Sequence, residues 1–289
     1  MFTHRFAHTY SDKIMNEDVF SIGKHHLFVI DGATGLGKND LMGHGDDALW
    51  FAQEMKRHLE ASLHLDEDLE SIVLRSIKKI CDEYDLNPDQ INKIDMPSAC
   101  IALFRERNDF LEFYGLGDTC GVIELMDHSV EMVTDSVLEA LDDKVIRTMQ
   151  KISKEKKIPL LQTRPDVNAM LIEHRKLRNT PNGYYALDLS ETGARHAVKK
   201  CWPLSDVCRV ACMSDGFSQI MDFDYCNSMS QLLDAVDQDP LKVFKDLYDL
   251  QEQDALCSKV PRLKKRDDTT LAYAKVNINI YDHHKKEKR

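Results

Sequence analysis

Four acidic residues lie at the edges of short apolar runs, and their placement is the strongest chemical signal in the sequence. They are Glu17, Asp31, Asp215 and Asp267. An acid at the end of a buried strand is costly unless its charge is compensated. A divalent cation compensates it well, because hard cations bind several oxygen ligands. The pattern therefore predicts an acidic metal centre assembled from distant parts of one domain.

Each of these acids also has an ordinary explanation. Asp followed by Gly commonly forms a turn after a strand, which would account for Asp31 and Asp215. Glu17 could belong to a solvated turn, and Asp267 to a surface acidic pair that follows the basic residues 264–266. Their combination favours a site, since two strands that end in Asp-Gly and two acids that open strands would meet at one sheet edge.

The composition is that of a globular protein and argues against several classes of partner. The chain has 289 residues, of which 43% are hydrophobic and 30% are charged. Its formal net charge of −11 disfavours nucleic acid or an anionic membrane surface as the main partner. No apolar run approaches the roughly 20 residues of a membrane span, and no apolar signal segment is visible. We therefore expect a cytoplasmic protein without a membrane span.

The cysteines support the same expectation. No two of them form a C-x-x-C pair, so a zinc ribbon is not indicated. Several lie within apolar runs, where a reduced and buried thiol is the ordinary interpretation. The eight residues are Cys81, Cys100, Cys120, Cys201, Cys208, Cys212, Cys226 and Cys257.

Hydrophobic periodicity predicts strands that cluster, helices that come in pairs, and then strands again. The predicted strands are 19–22, 27–30, 99–104, 110–114, 121–125, 184–189, 207–213 and 270–276. The predicted helices are 46–63, 67–84, 228–236 and 240–257, with a polar helical stretch over 136–178 that is broken at Pro159 and Pro165.

This order is unlike the regular alternation of a parallel α/β fold. It predicts an α+β protein, namely an α-β-β-α sandwich of two mostly antiparallel sheets flanked by paired helices. We expect a single domain over 1–280 and a frayed polar tail over 281–289.

Five short motifs occur in a recognisable order. They are Asn16-Glu17-Asp18, Phe28-Val29-Ile30-Asp31-Gly32-Ala33-Thr34-Gly35, Gly115-Leu116-Gly117-Asp118-Thr119, Met213-Ser214-Asp215-Gly216-Phe217 and Asp267-Asp268-Thr269-Thr270-Leu271. Together they resemble the motifs of the metal-dependent protein phosphatases of the PP2C type (the PPM family), particularly the compact bacterial members. The resemblance extends over about residues 3 to 277, which is nearly the whole chain.

The resemblance implies an activity and a metal centre. It implies hydrolysis of phosphoserine and phosphothreonine in proteins by a metal-bridged water, without a covalent intermediate and in opposition to a serine/threonine kinase. Two Mg²⁺ or Mn²⁺ ions would be bridged by Asp31. Asp215 and Asp267 would hold one ion, and Glu17 and the carbonyl of Gly32 the other. Asp31 and Asp215 would be the central catalytic residues.

Two positions depart from the family pattern in ways that affect substrate chemistry. Lys13, four residues before Glu17, takes the place of a phosphate-binding arginine, and lysine lacks the bidentate fork of a guanidinium. Ala33 replaces a histidine that many eukaryotic members carry as a general acid. General acid catalysis is worth about 10²–10⁴ in rate, so these changes could lower activity.

A third ion in the family would be held by Asp118, Asp215 and an acid at position 219, where this chain has Gln219. An amide brings no charge, so a third ion should bind more weakly. Residues 126–200 fall where the family has a flap beside the active site, a plausible source of substrate choice. Two alternatives stay open: a weakly active or inactive PP2C-like regulatory protein that binds a phosphorylated partner, and a site for a structural cation.

Overall fold

The computed structural model describes residues 1–33, 35–36, 40–43 and 45–276, and the predicted tail 281–289 lies outside this part. The strands are β1 Phe2–Tyr10, β2 Asp18–Ile22, β3 His26–Ala33, β4 Ser98–Arg107, β5 Phe110–Leu116, β6 Cys120–Leu125, β7 Val130–Val133, β8 Leu187–Asp188, β9 Val198–Pro203, β10 Val207–Met213 and β11 Thr269–Val276. The α-helices are α1 Asp47–Ser62, α2 Leu69–Glu83, α3 Ser136–Lys156, α4 Asn168–Lys176, α5 Asp215–Ser218, α6 Met229–Gln238 and α7 Pro240–Gln253.

Short 3-10 helices complete the described elements. They are Pro88–Gln90, Leu160–Val167, Gly193–His196, Leu204–Asp206 and Gln219–Phe223. The two long N-terminal helices begin where the sequence provides caps. Asp46 accepts a hydrogen bond from the backbone N–H of Leu49, and Asp68 accepts one from that of Ser71, so each cap satisfies a backbone donor of the first turn.

Two antiparallel sheets carry the fold. The first has the strand order β1-β11-β10-β6-β7, and the second has β2-β3-β4-β5-β9 with β8 beside β4. Alternate residues of β3 face opposite layers, as a strand requires. Leu27 and Val29 pack between the sheets, whereas Phe28 and Ile30 pack toward α1 and α2.

The second outer layer is formed by α6 and α7, which cover the first sheet. Leu232, Leu233 and Leu247 of these helices pack with Val122 and Met213 of the sheet. The layers are therefore helix, sheet, sheet and helix, and the predicted α-β-β-α sandwich is confirmed.

Several strands were not predicted, or were predicted too long. The missed strands are β1, β7 and β9, and β1 and β9 are edge strands whose polar and exposed residues conceal the strand pattern. The predicted strand 184–189 is reduced to β8, which pairs only with the beginning of β4. Tertiary pairing rather than local hydrophobicity defines these elements.

The stretch 136–178 forms α3, the 3-10 helix Leu160–Val167 and α4, within the segment 126–200 that was expected to be flap-like. The chain breaks at Pro159 as predicted, but Pro165 lies inside the 3-10 helix. The stretch has its own small core around Val145, Met149 and Leu160. We call 136–178 the helical insertion, because it becomes one wall of the site described below.

Two further sequence predictions concern cysteines and membranes. All eight cysteines lie in the described part and none forms a disulfide, although Cys208 is only half-buried. Among the described residues, no helix combines the length and the apolar character that crossing a bilayer would need.

Candidate metal centre

One cavity of about 460 Å³ lies where strands of both sheets begin or end. All seven residues singled out from the sequence line it: Lys13, Glu17, Asp31, Gly32, Asp118, Asp215 and Asp267. They are separated by up to 254 positions in the chain, so the fold rather than local sequence assembles them. Arg5, a basic residue near the N-terminus, is exposed on β1 and does not line the cavity.

The second sheet contributes Glu17 and Asp31. β2 begins and β3 ends at the same edge because the two strands are antiparallel, which pairs Asp18 with Asp31. The backbone N–H of Gly32 donates to the carbonyl of Glu17 at 3.2 Å. This pairing places Glu17, Asp31 and the Gly32 backbone beside one another.

The first sheet contributes Asp118, Asp215 and Asp267. Met213 at the end of β10 pairs with Cys120 at the start of β6 and with Leu271 near the start of β11. The residues that flank these positions therefore meet at one end of the sheet. Reciprocal bonds between Ser214 and Thr270 fix this junction, with backbone N–H to carbonyl at 3.0 Å and backbone N–H to Oγ at 2.9 Å.

Glycine is required directly after Asp31 and Asp215, because the backbone of another segment approaches closely at both positions. A Cβ at Gly32 would lie 2.7 Å from the carbonyl oxygen of Glu17. A Cβ at Gly216 would lie 2.0 Å from the carbonyl oxygen of Asp268. Any side chain at these positions would push apart the segments that bring the acids together.

Asp268 links the first two strands to the last one. It is buried, and its Oδ2 accepts from the backbone N–H of Glu17 at 3.0 Å and from Lys13 Nζ at 2.9 Å, while its Oδ1 accepts from Ser11 Oγ. Lys13 also pairs with Glu17 Oε2 at 2.7 Å. Asp268 is thus a positioning residue, and Lys13 lies among the acids.

The acids repel one another in the absence of a cation. Burial, followed by the charges of Asp18 and Asp215, raises the pKa of Asp31 well above its ordinary value. Burial, followed by the charge of Asp215, raises the pKa of Asp118 to about 7. Burial, followed by the charge of Asp267, raises the pKa of Asp215 to about 6. Burial and mutual repulsion therefore outweigh the positive charge that reaches these three carboxylates.

Asp18 belongs to the motif Asn16-Glu17-Asp18 and pairs with Asp31, although the motif resemblance implies no role for it. Its side chain is 3% exposed, and neither of its carboxylate oxygens makes a hydrogen bond of normal geometry. Burial raises its pKa to about 7, although the nearby hydroxyls of Thr270 and Ser214 act in the opposite direction. Two orphaned carboxylate oxygens beside Asp31 are the kind of exception that a missing cation or water explains.

Asp267 differs from the other central acids because Lys264 compensates its charge. Lys264 Nζ donates to Oδ1 at 2.8 Å and to Oδ2 at 2.7 Å. Burial acts to raise the pKa of Asp267, but the charge and hydrogen bonds of Lys264 and the charge of Lys13 keep it below its ordinary value. In the sequence, Lys264 is the first of three consecutive basic residues, and no local pattern distinguishes it from the other two.

The helical insertion adds residues that no motif predicted. Asp142 of α3, Arg164 of the 3-10 helix and Arg175 of α4 all line the cavity. Burial, followed by the charge of Asp215, raises the pKa of Asp142 to about 6. Arg175 Nη1 donates to the hydroxyl of Ser98 at 2.9 Å, which ties the insertion to the start of β4. These residues come from the segment predicted to be flap-like.

Gln219 lines the cavity with an uncharged amide whose oxygen has a hydrogen-bond partner. That oxygen accepts a hydrogen bond from Gln251 Nε2 at 3.0 Å. Asp118, Asp142, Asp215 and Gln219 line both this cavity and a second, adjoining one. Asp142 is therefore a carboxylate available where position 219 offers none.

The donor set fits a hard divalent cation. It consists of carboxylates and backbone carbonyl, which suit Mg²⁺ or Mn²⁺ rather than softer metals. Glu17, Asp31, Asp215, Asp267 and the Gly32 backbone would hold such ions, and divalent charge would remove the repulsion that raises the carboxylate pKa values.

A second group of potential ligands lies on the outer helices. Glu54, His58 and Glu83 bring three ligand atoms within 4.8 Å of one another. Arg57 already compensates part of the charge of this group, because its guanidinium pairs with both glutamates and lies 2.8 Å from His58 Nε2. The cavity acids are the better metal candidates, because no cation comparable to Arg57 compensates Asp31 among the described residues.

Comparison with known proteins identifies the fold. No protein-family model and no curated protein matches the sequence. The structure is similar to the serine/threonine phosphatase PstP/Ppp of Mycobacterium tuberculosis, at 17% identity and a TM-score of 0.52, over 96% of this chain and 100% of that one. The PstP catalytic domain in complex with two manganese ions is similar over 96% and 99% of the two chains, at 18% identity and a TM-score of 0.52.

A third similar structure is the serine/threonine phosphatase Stp1 of Staphylococcus aureus. It shares 11% identity with this chain, at a TM-score of 0.53, and 96% of each chain is covered. The resemblance predicted from the five motifs is therefore confirmed at the level of the fold: the chain has the architecture of the PP2C-type serine/threonine phosphatases.

Proposed function

We propose that this chain is a metal-dependent serine/threonine protein phosphatase of the PP2C type, formed by a single domain over 1–280. The observation that carries the proposal is the convergence of Glu17, Asp31, Asp118, Asp215 and Asp267 in one cavity. A neighbour with the same fold is described as a complex with two manganese ions. The acids here would hold Mg²⁺ or Mn²⁺.

The proposed roles follow from the position of each acid. Asp31 lies between the two groups, since Asp18 and Asp215 both act on it, and it would bridge two ions. Asp215 and Asp267 would complete one ion, and Glu17 with the Gly32 carbonyl the other. When bound, the ions would lower the pKa of a water molecule, so that hydroxide would be available to attack phosphorus at neutral pH.

The chain's own residues set the charge around the substrate. Among the described residues, six acidic and five Lys or Arg side chains line the cavity, so without metal it has little net charge with which to bind a phosphate dianion. Two divalent ions would make the cavity strongly positive, and Lys13 would bind phosphoryl oxygen. Ala33 offers no proton to the leaving alkoxide, so solvent would supply that proton.

The direct test is hydrolysis of p-nitrophenyl phosphate and of a phosphothreonine peptide by the purified protein. We expect turnover with Mn²⁺ and a loss of about 10²-fold or more in chelator, because the nucleophile depends on the ions. Asp215→Asn should lose activity to a similar extent. Glu54→Gln is the matched control, because the group around Arg57 is not needed; it should keep full activity.

Turnover that survives both chelator and Asp215→Asn would contradict the proposal. The runner-up function is a weakly active or inactive regulatory protein, which Lys13, Ala33 and Gln219 favour. Absence of turnover, with retained binding of Mn²⁺ and of the phosphothreonine peptide, would support that alternative instead.

We also propose that a weaker third ion is held by Asp118 and Asp215, with Asp142 supplying the carboxylate that position 219 lacks. Asp142→Asn should weaken the weakest Mn²⁺ site about 10-fold in a calorimetric titration, because one carboxylate charge is lost. Asp166→Asn is the control, since Asp166 belongs to the same helical insertion, pairs with Lys156 at 2.8 Å and lines neither cavity. Equal effects of both variants would rule out a specific role for Asp142.

A further inference from the structure

Three basic residues stand in a row before Asp267, and only one of them lines the cavity. Lys265 pairs with Glu252 at 2.7 Å, and Arg266 pairs with Glu252 and Asp12, so both point elsewhere. Lys264 instead lines the cavity, with its ammonium bonded to both oxygens of Asp267. Of these three basic residues, only Lys264 is therefore placed to act inside the cavity.

The loop that carries Lys264 is held in position by Arg262. This guanidinium is buried, pairs with Asp254 at 2.7 Å and donates to the carbonyl oxygens of Val260 at 2.7 Å and Lys265 at 3.0 Å. Asp254 in turn accepts from the backbone N–H of Val260 at 3.0 Å. Lys264 therefore projects into the cavity from a fixed backbone.

The contact between Lys264 and Asp267 competes with the role proposed for Asp267. The carboxylate has lone pairs left for a cation, but a divalent ion bound to it would repel the ammonium that is bonded to both of its oxygens. Binding of the ion would neutralise Asp267 and release Lys264, whose side chain is already 47% exposed. The released ammonium would have three donors and no carboxylate partner at Asp267.

A phosphate group would be the nearest new partner. Oxygen ligands of one octahedral ion at about 2.1 Å lie about 3 Å from each other. If a phosphoryl oxygen and Asp267 were ligands of the same ion, a small rotation of the Lys264 side chain would therefore bring its ammonium from Asp267 to that phosphoryl oxygen. Lysine is a common phosphate-binding residue, acting as a compact point charge.

We propose that Lys264 is a second phosphate-binding residue, held on Asp267 in the metal-free protein and transferred to the substrate phosphoryl group when metal binds. The proposal rests on the proposed function and adds to it a second residue that binds the phosphoryl group. It would compensate for the single-point contact of Lys13, which lacks the fork of an arginine.

Two effects of opposite sign distinguish this role from a structural one. Removing the ammonium frees Asp267 for metal, so Lys264→Gln should bind Mn²⁺ about 3–10-fold more tightly. The same variant should bind inorganic phosphate, in the Mn²⁺-loaded protein, about 10-fold more weakly, as expected for the loss of one charge-assisted hydrogen bond. Loss of fold integrity would weaken both.

The experiment is isothermal titration of the full chain with Mn²⁺, followed by titration of the Mn²⁺-loaded protein with inorganic phosphate. Lys265→Gln is the matched control and should equal the wild type in both titrations, while Lys264→Arg should largely restore phosphate binding. If the wild-type protein is an active phosphatase and Lys264→Gln binds phosphate as tightly as the wild type does, this proposal alone is overturned. A wild-type protein that binds neither Mn²⁺ nor phosphate would overturn the proposed function as well.

Discussion

Asp31→Asn is expected to abolish phosphomonoester hydrolysis, by about 10³-fold or more, while making the metal-free protein more stable. The activity should fall because the residue proposed to bridge both ions loses its charge; a 10³-fold loss corresponds to about 4 kcal/mol of transition-state stabilisation. The stability should rise because burial and the charges of Asp18 and Asp215 already disfavour the Asp31 carboxylate, and an amide removes that repulsion.

The two halves of this prediction are measured separately. Activity is assayed with p-nitrophenyl phosphate in saturating Mn²⁺, and the melting temperature is measured in chelator near pH 7.5. Each kcal/mol gained would raise the melting temperature by roughly 2 °C for a chain of this length. Asp82→Asn, an exposed acid on α2, is the control for general loss of negative charge. A lower melting temperature for Asp31→Asn in chelator would mean that its carboxylate is structural rather than reserved for metal.

The second large effect concerns pH and metal together. In chelator, the protein should become less stable as the pH rises from about 5 to about 8. The carboxyl groups of Asp18 and Asp118 have pKa values raised to about 7, and that of Asp215 is raised to about 6, whereas unfolded aspartate titrates near pH 4. Across this range the folded state binds more protons than the unfolded state, so the free energy of unfolding falls as pH rises.

Other groups act in the opposite direction but more weakly. Burial lowers the pKa of His26 and of His58, so these side chains favour folding as the pH rises through their titration range. Saturating Mn²⁺ should remove the loss of stability above pH 6, because the ions bind the ionised carboxylates.

The measurement is the free energy of unfolding by urea at pH 5.5, 6.5 and 7.5, in chelator and in Mn²⁺. In chelator only, we expect the free energy of unfolding to fall by a few kcal/mol between pH 5.5 and pH 7.5. This is the order expected for two or three acids with pKa values raised to about 6 or 7. Asp118→Asn should reduce the slope, since it removes one of the titrating groups. A stability in chelator that rises steadily toward pH 7.5 would contradict a repulsive acid cluster.

The central acids were accessible from sequence because each lies at the end of an apolar run. Antiparallel pairing then requires that the start of β2 and the end of β3 share an edge, and the same holds for β10 and β11. The motifs therefore predicted Asp31 and Asp215 together with their partners. The α-β-β-α layering followed from the order of strands and paired helices.

The rest of the cavity could not be predicted in this way. Asp142, Arg164 and Arg175 lie on the helical insertion, where nothing in local periodicity shows that one face reaches the acids. Lys264 is one of three consecutive basic residues, and only the loop fixed by Arg262 determines which of them enters the cavity. Edge strand β1 was missed because its partly exposed residues lack a continuous apolar pattern.

The most direct test of the proposed metal centre is anomalous X-ray diffraction from crystals of the protein grown with Mn²⁺. We predict two strong manganese peaks about 3.5–4 Å apart, the separation typical of two-metal hydrolytic sites, both in contact with Asp31. One would also contact Asp215 and Asp267, and the other Glu17. Peaks confined to Glu54, His58 and Glu83, or no peak in the cavity at saturating Mn²⁺, would contradict it.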